Sequence, residues 1–166
     1  MEILQSGNMG VSMKESENLT ADSICELIKA AIEARRKSYS PYSHYQVGAA
    51  LLTADGQIVT GCNIENAAYG PSNCAERTAF FKAVSEGMRE FTAIAIVGSP
   101  EGEELTQYAY PCGVCRQVMR EFCEPERFRI IVAKSEEDYR VMTLAALLPE
   151  SFGSENLCDG NEQCQR

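Results

Sequence analysis

Two short stretches, CAE at residues 74–76 and PCGVC at residues 111–115, lie about 35 residues apart and decide how this chain must fold. Together they supply three thiols and one carboxylate. Such a set can hold a zinc ion through the thiols and leave its fourth position open to water. We therefore expect the rest of the fold to bring these two stretches together.

The second stretch is predicted to open a short helix. Cys112 and Cys115 are three residues apart, so both thiols would lie on the first turn and on one side of that helix. The predicted apolar stripe of the helix consists of Val114, Val118, Met119 and Phe122.

Cys74 likewise opens an apolar-periodic run, residues 75–84, whose buried side chains are expected to be Ala79, Phe80 and Ala83. A thiolate at this position would face the electropositive end of a helix. Glu76 lies about 200° around a regular helix from Cys74. The two side chains can therefore reach one ion only if the site lies beyond the helix N-terminus.

The order CAE followed by PCxxC resembles the zinc-dependent cytidine deaminases, over about residues 20–153. The resemblance implies one Zn²⁺ per chain, held by Cys74, Cys112 and Cys115. It implies that Glu76 takes a proton from water and passes protons to the ring nitrogen and to the departing ammonia. Arg77, next to Glu76, is placed to donate hydrogen bonds to thiolate sulfur, and the resemblance implies the same role.

Asn63 and Glu65 alternate on one side of a strand end, so an amide and a carboxylate can point together at adjacent ribose hydroxyls. In the family, the matching segment binds the sugar, and these two residues would take its 3′-hydroxyl. Tyr45 stands where the family usually has phenylalanine, and its ring can still stack on a pyrimidine. The remaining substrate contacts implied by the resemblance are Ala75 in the same chain and Ala67, Tyr69 and Phe152 toward a neighbouring subunit's site.

Simpler interpretations of the same residues remain open. A closed structural zinc site would need a fourth ligand, which Cys62, Cys123 or His44 could supply. A redox dithiol would leave Cys74 unexplained, and a single histidine weakens a cysteine protease. Glu76 could merely cap its helix, Arg77 could lie on an exposed face, and Phe152 could anchor its own core.

The remaining sequence predicts the layout of the fold. A helix is expected after Thr20, with Ile24, Leu27, Ile28, Ala31 and Ile32 on one face. Four apolar runs have the length of strands, at residues 47–52, 58–62, 91–97 and 128–133. A hairpin turn is expected at Asp55-Gly56, between the first two. A fifth strand is expected at 139–142, followed by a short helix at 144–148. We expect an α/β fold, a three-layer α-β-α sandwich around a mixed sheet of about five strands.

Length and charge indicate one domain and a small substrate. The expected divisions are a flexible N-terminal arm at 1–18, a deaminase domain at 19–153 and a polar C-terminal tail at 154–166. The formal net charge of −9 disfavours a nucleic-acid partner. Residues 1–18 lack an apolar core of signal-peptide length and no apolar run has membrane-spanning length, so we expect a soluble, cytoplasmic protein.

The predicted function is hydrolytic deamination of cytidine and deoxycytidine in pyrimidine salvage, by a homotetramer with shared active sites. Three alternatives remain: a deaminase of a modified nucleoside such as blasticidin S, a polynucleotide-editing deaminase and a zinc module without activity. The first should lack the sugar contact of Asn63. The acidic charge disfavours the second, and the third predicts zinc without turnover.

Overall fold

The computed structural model describes residues 19–157, in which the secondary structure follows the expected order. The elements are α1 (Ala21–Arg35), β1 (Tyr45–Thr53), β2 (Ile58–Cys62), α2 (Ala75–Ser85), β3 (Phe91–Pro100), α3 (Gly113–Phe122), β4 (Arg129–Ala133), β5 (Tyr139–Thr143) and α4 (Leu144–Leu147), followed by a 3-10 turn, Ser154–Asn156. The expected arm at 1–18 and the last residues of the expected tail, 158–166, lie outside this range. Within residues 19–157 no helix is both long enough and apolar enough to span a membrane.

The five strands form one mixed sheet in the order β2-β1-β3-β4-β5. β1 is antiparallel to both β2 and β3, β3 is parallel to β4, and β4 is antiparallel to β5. The β1–β2 hairpin, which precedes the other strands, and the later crossover through α3 agree with the predicted order of elements. The prediction of a mixed, five-stranded sheet is confirmed.

The central strand β3 is buried on both faces, and its side chains alternate between two apolar cores. Ala93 and Ala95 pack with the buried face of α1, whereas Ile94 and Ile96 pack with α2 and α3. Helices therefore cover both sides of the sheet, which confirms the three-layer α-β-α sandwich.

α1 begins where the sequence indicates, because the Thr20 side chain accepts a hydrogen bond from the backbone N–H of Ser23 at 3.2 Å. Its buried face contains four of the five predicted residues and Ala34, while Ile32 is only half-buried. The buried residues are Ile24, Leu27, Ile28, Ala31 and Ala34.

The backbone of α2 packs directly against the backbone of β2, with no side chain between them at Gly61. A Cβ added at Gly61 would lie 2.4 Å from the carbonyl oxygen of Ala75 and 2.5 Å from the amide nitrogen of Ala79. Only a residue without a side chain permits this approach. The contact fixes the first turn of α2, where the CAE stretch begins.

The predicted stripe of α3 is wrong at Val114, which is 58% exposed. The buried side instead contains Cys115 and Met119, with Val118 and Phe122 packed at its edge. The reason is that Cys115 itself faces inward toward α2, which rotates Val114, its neighbour in sequence, to the outside. Sequence spacing alone allows either residue to begin the stripe.

Candidate active site

The two cysteine-bearing helices point their N-termini at a common space. Cys74 is the N-cap of α2 and Cys112 the N-cap of α3, and neither thiol makes a capping hydrogen bond. Cys115 lies in the first turn of α3 and is 1% exposed. The Sγ atoms of all three lie within 4.8 Å of one another, with 3.9 Å between Cys74 and Cys112 and 3.5 Å between Cys112 and Cys115.

This sulfur triangle fits a zinc ion. Zinc–sulfur bonds of about 2.3 Å in a tetrahedron place neighbouring sulfurs about 3.8 Å apart, close to the two separations between the thiols. Both helix N-termini also favour ionised sulfur. Among residues 19–157 this is the group of cysteine, histidine or carboxylate side chains close enough together to hold a metal.

A closed zinc site would need a further ligand, and the three residues considered for that role are engaged elsewhere. The Cys62 thiol donates to the carbonyl oxygen of Lys37 at 3.2 Å. His44 is exposed and pairs with Glu101 at 3.3 Å. Cys123 lies in the apolar core. Among the described residues, the thiol triangle therefore leaves one tetrahedral position unfilled by cysteine or histidine.

The thiols change one another's pKa values, because they lie within hydrogen-bonding distance. The pKa of Cys74 is lowered to about 5, chiefly by a hydrogen bond from Cys115; burial opposes this, and Arg77 and Cys112 contribute as further donors. Donation to Cys74, reinforced by burial, raises the pKa of Cys115. Arg77 Nη2 lies 3.7 Å from Cys74 Sγ and 3.2 Å from the carbonyl oxygen of Ser72. The guanidinium therefore contacts one of the three sulfur atoms, and its role at the site stays a prediction.

Glu76 is buried beside the thiols, with 4% of its surface exposed. Burial raises the pKa of its carboxyl to about 7; a hydrogen bond from its own backbone N–H opposes this, and the negative charge of Cys74 adds to it. Cys74 and Glu76 line the same cavity beyond the N-terminus of α2, as their convergence on one ion requires.

The cavity next to these residues has a volume of about 430 Å³, a size suited to a small organic ligand. It lies between the N-termini of α2 and α3, the start of β1 and the segment that precedes α3. The lining includes seven residues singled out from the sequence, which are Tyr45, Asn63, Glu65, Cys74, Ala75, Glu76 and Cys112.

Asn63 and Glu65 both reach the cavity, and both also bind the backbone around it. Asn63 Oδ1 accepts from the amide nitrogen of Val47 at 2.8 Å, and its Nδ2 donates to the carbonyl oxygen of Tyr45 at 2.8 Å. Glu65 accepts from the amide nitrogens of residues 42 and 43 at 2.9 and 3.2 Å and from the Ser43 hydroxyl. The Ser43 hydroxyl is the main cause of a lowered pKa at Glu65, which favours the carboxylate.

The three residues assigned to a neighbouring subunit's site do not line this cavity. Ala67 is exposed, Tyr69 is 73% exposed and Phe152 is 58% exposed. Phe152 thus does not fill its own chain's core, contrary to the simpler interpretation. The shared-site role of the three residues stays a prediction.

Sequence reasoning missed several lining residues, above all Tyr108 and Tyr110. Tyr110 directly precedes the PCGVC stretch, and this position was the available signal. The other lining residues not singled out as site residues are Val47, Ser72, Asn73, Ile96 and Ala109.

Comparisons with a family model, with known sequences and with solved structures all find cytidine deaminases. A family model described as the cytidine and deoxycytidylate deaminase zinc-binding region matches residues 21–132. A cytidine deaminase of Halalkalibacterium halodurans is 49% identical over 133 residues, covering 80% of this chain and 96% of the relative. The crystal structure of cytidine deaminase from Burkholderia pseudomallei matches with a TM-score of 0.69 and 49% identity, over 76% of this chain and 97% of that one. A more distant relative, the blasticidin-S deaminase of Bacillus cereus, is 33% identical over 109 residues, covering 64% of this chain and 76% of the relative.

Proposed function

Because the chain belongs to the cytidine and deoxycytidylate deaminase zinc-binding family, we propose that it hydrolyses the 4-amino group of cytidine and deoxycytidine. The products are uridine or deoxyuridine and ammonia. The observation that carries the proposal is the presence of Glu76, Cys74 and Cys112 in one cavity, with the Cys115 thiol 3.5 Å from that of Cys112. A carboxylate beside a three-thiol metal site is the arrangement that hydrolytic deamination needs.

Cys74, Cys112 and Cys115 would hold the zinc ion. When bound, zinc supplies Lewis acidity that makes water nucleophilic at neutral pH. Arg77 donates toward Cys74 and offsets part of the negative charge that three thiolates bring to the site.

The Glu76 carboxylate carries the proton transfers. One of its Oε atoms takes the first proton from the attacking water and delivers it to N3 of the cytosine ring. It then takes the second proton from the hydroxyl group formed at C4 and delivers it to the departing amino group. The sum is one water consumed and one ammonia released. Burial of Glu76 in a walled cavity keeps bulk water from competing for those protons.

The substrate contacts follow from the cavity lining. The Tyr45 ring would stack on the pyrimidine, Ala75 would contact the base, and Asn63 and Glu65 would bind the ribose. Of the sugar-binding pair, Glu65 is the stronger acceptor, because it offers a carboxylate, whereas the amide oxygen of Asn63 already accepts from the amide nitrogen of Val47.

The working unit would be a homotetramer, located in the cytoplasm and active in pyrimidine salvage. Ala67, Tyr69 and Phe152 would complete the cavity of a neighbouring subunit, since all three are exposed on the single chain. Symmetric association would cover these side chains and close each cavity. With a net charge of −9, a nucleoside is a better partner than a nucleic acid.

An ultraviolet assay of cytidine loss tests the proposal, with cytosine and blasticidin S run beside it. We expect turnover of cytidine and deoxycytidine, little of free cytosine, which lacks the sugar that Glu65 would bind, and little of blasticidin S. Faster turnover of blasticidin S than of cytidine would favour the modified-nucleoside alternative. Bound zinc without turnover of any of these compounds would favour a zinc module without activity.

A further inference from the structure

One wall of the cavity is formed by a segment without helix or strand. Residues 101–112 connect β3 to α3, and Tyr108, Ala109 and Tyr110 within this segment line the cavity. The two tyrosine rings are 6.5 Å apart and inclined at 65°. Because the segment lacks the regular backbone hydrogen bonds of a helix or strand, it needs side-chain contacts to keep a fixed position.

For the two tyrosines, those contacts come from the β4–β5 hairpin, and Arg140 of β5 makes two of them. The ends of the segment are held from elsewhere, since Arg35 donates to the carbonyl oxygen of Glu103 at 2.9 Å and Arg116 to that of Pro111 at 2.8 Å. The guanidinium carbon of Arg140 lies 4.4 Å from the centre of the Tyr108 ring. Its Nη1 donates a hydrogen bond to the Tyr110 hydroxyl at 2.9 Å. Arg140 is not among the residues lining the cavity, so it contacts the two tyrosines without lining the cavity itself.

Two neighbours in the hairpin hold Tyr108 as well. The Tyr108 hydroxyl donates to Asp138, and the Lys134 ammonium lies 4.7 Å from the centre of the ring. Lys134 and Asp138 are themselves an ion pair at 2.5 Å. Tyr108 thus has three contacts in the hairpin, whereas the hydroxyl of Tyr110 has Arg140 as its partner.

The other side of the segment lies directly on β3 and β1. A Cβ added at Gly98 would lie 3.0 Å from both Ala109 Cβ and the Tyr45 ring. The wall is therefore held between Gly98 on one side and Arg140 on the other. We therefore expect that loss of the Arg140 contacts would free Tyr110, while Ala109 would stay in place against Gly98.

We propose that Arg140 is a positioning residue for substrate binding, which sets the place of the aromatic cavity wall by contacting Tyr108 and Tyr110 together. A planar guanidinium can lie over one ring and donate in its own plane to a second group, which an ammonium cannot do equally well. The proposal relies on the proposed function only for the choice of cytidine as the ligand.

Steady-state kinetics of a double-mutant cycle test this role. Arg140→Met and Tyr110→Phe should each raise KM for cytidine by roughly 3- to 10-fold, with kcat within about twofold of the wild type. The double variant should show little more than Arg140→Met alone, because that change already removes the hydrogen bond that Tyr110→Phe removes. Arg140→Lys should restore part of the affinity. Arg129→Met is the matched control, since Arg129 donates to the carbonyl oxygen of Glu126 away from the cavity, and it should leave KM unchanged.

Hydrogen exchange of the zinc-loaded protein gives a readout independent of activity. Peptides covering residues 101–112 should exchange faster in Arg140→Met than in the wild type, and peptides from α2 should not change. If the wild type fails to deaminate cytidine while this difference is seen, the proposed function fails and the positioning role stands. Unchanged exchange at 101–112, additive effects on KM, or a loss confined to kcat would each overturn the positioning role.

Discussion

Glu76 and Cys74 lie two residues apart, but their surroundings shift their pKa values in opposite directions. Burial raises the pKa of the Glu76 carboxyl to about 7, whereas a hydrogen bond from Cys115 is the main cause that lowers the pKa of Cys74 to about 5. The first side chain is thus adapted to carry a proton and the second to lose one. Within the first turn of α2, these opposite shifts agree with a proton carrier at Glu76 and a metal ligand at Cys74.

Replacing Glu76 by glutamine tests the proton-carrying role. The amide keeps the size of the side chain but cannot accept a proton, so kcat for cytidine should fall by at least about 100-fold. One zinc per chain should remain, because the three thiols are unchanged. Metal analysis and steady-state kinetics measure the two effects. Glu86→Gln, at the exposed C-terminal end of α2, is the control and should be active. Near-normal activity of Glu76→Gln would rule out the assigned mechanism.

Arg77→Ala removes the guanidinium that lies 3.7 Å from Cys74 Sγ. The site would then carry more negative charge, and activity should fall by roughly 10- to 100-fold while zinc occupancy falls less. Parallel measurements of kcat/KM and zinc content separate the two. Arg89→Ala is the control, since Arg89 donates to the carbonyl oxygens of Val84 and Met88 at the far end of α2. Equal losses of zinc and activity would assign Arg77 to metal retention, and no loss of either would show that the site does not need the guanidinium.

At the level of the elements, the active site depends on how closely α2 lies on β2. A methyl group at Gly61 would overlap the backbone of α2 at Ala75 and Ala79. Gly61→Ala should therefore lower the free energy of unfolding by about 1–3 kcal/mol, the cost of forcing extra volume into a packed region. It should also weaken zinc binding, because α2 carries Cys74.

Urea unfolding and zinc competition with a chelator measure these effects. Gly113→Ala is the matched control, because Gly113 also adjoins the metal motif but an added methyl there meets no atom within 4 Å. It should unfold at the wild-type urea concentration or slightly above, since alanine favours helix. Equal stability of the two variants would show that α2 can move away from β2 without loss.

The elements themselves were largely predictable, because apolar periodicity and capping residues act locally. The Cys74 and Cys112 helices, the hairpin and the five strands all follow from spacing in the sequence. Contacts between distant elements were not predictable in this way. Spacing places Val114 in the buried stripe because it cannot tell which of two neighbours faces inward. It also gives no sign that Tyr110 contacts Arg140, which is 30 residues away.

For the whole molecule, the proposed shared site depends on aromatic side chains that are exposed on the single chain. Tyr69 and Phe152 are 73% and 58% exposed on the single chain, so both rings are accessible to a neighbouring subunit. Phe152 is also firmly held, because Gln117 Nε2 donates to its carbonyl oxygen at 3.0 Å and Arg120 Nε donates to the Ser151 hydroxyl at 2.9 Å. Arg120 pairs with Glu155 as well. A ring presented outward from a fixed backbone is suited to entering a neighbour's cavity.

Mixed oligomers test this shared site. Chains with Phe152→Ala keep a working Glu76, and chains with Glu76→Gln keep the Phe152 ring, so each homo-oligomer should have low activity. Co-expressed chains with two different tags, purified on both, should regain activity, because hybrids contain cavities with Glu76 from one subunit and Phe152 from the next. The control partner carries both Glu76→Gln and Phe152→Ala and should restore nothing. Hybrids no more active than this control, or a fully active monomer in size-exclusion chromatography, would mean that each cavity is complete within one chain.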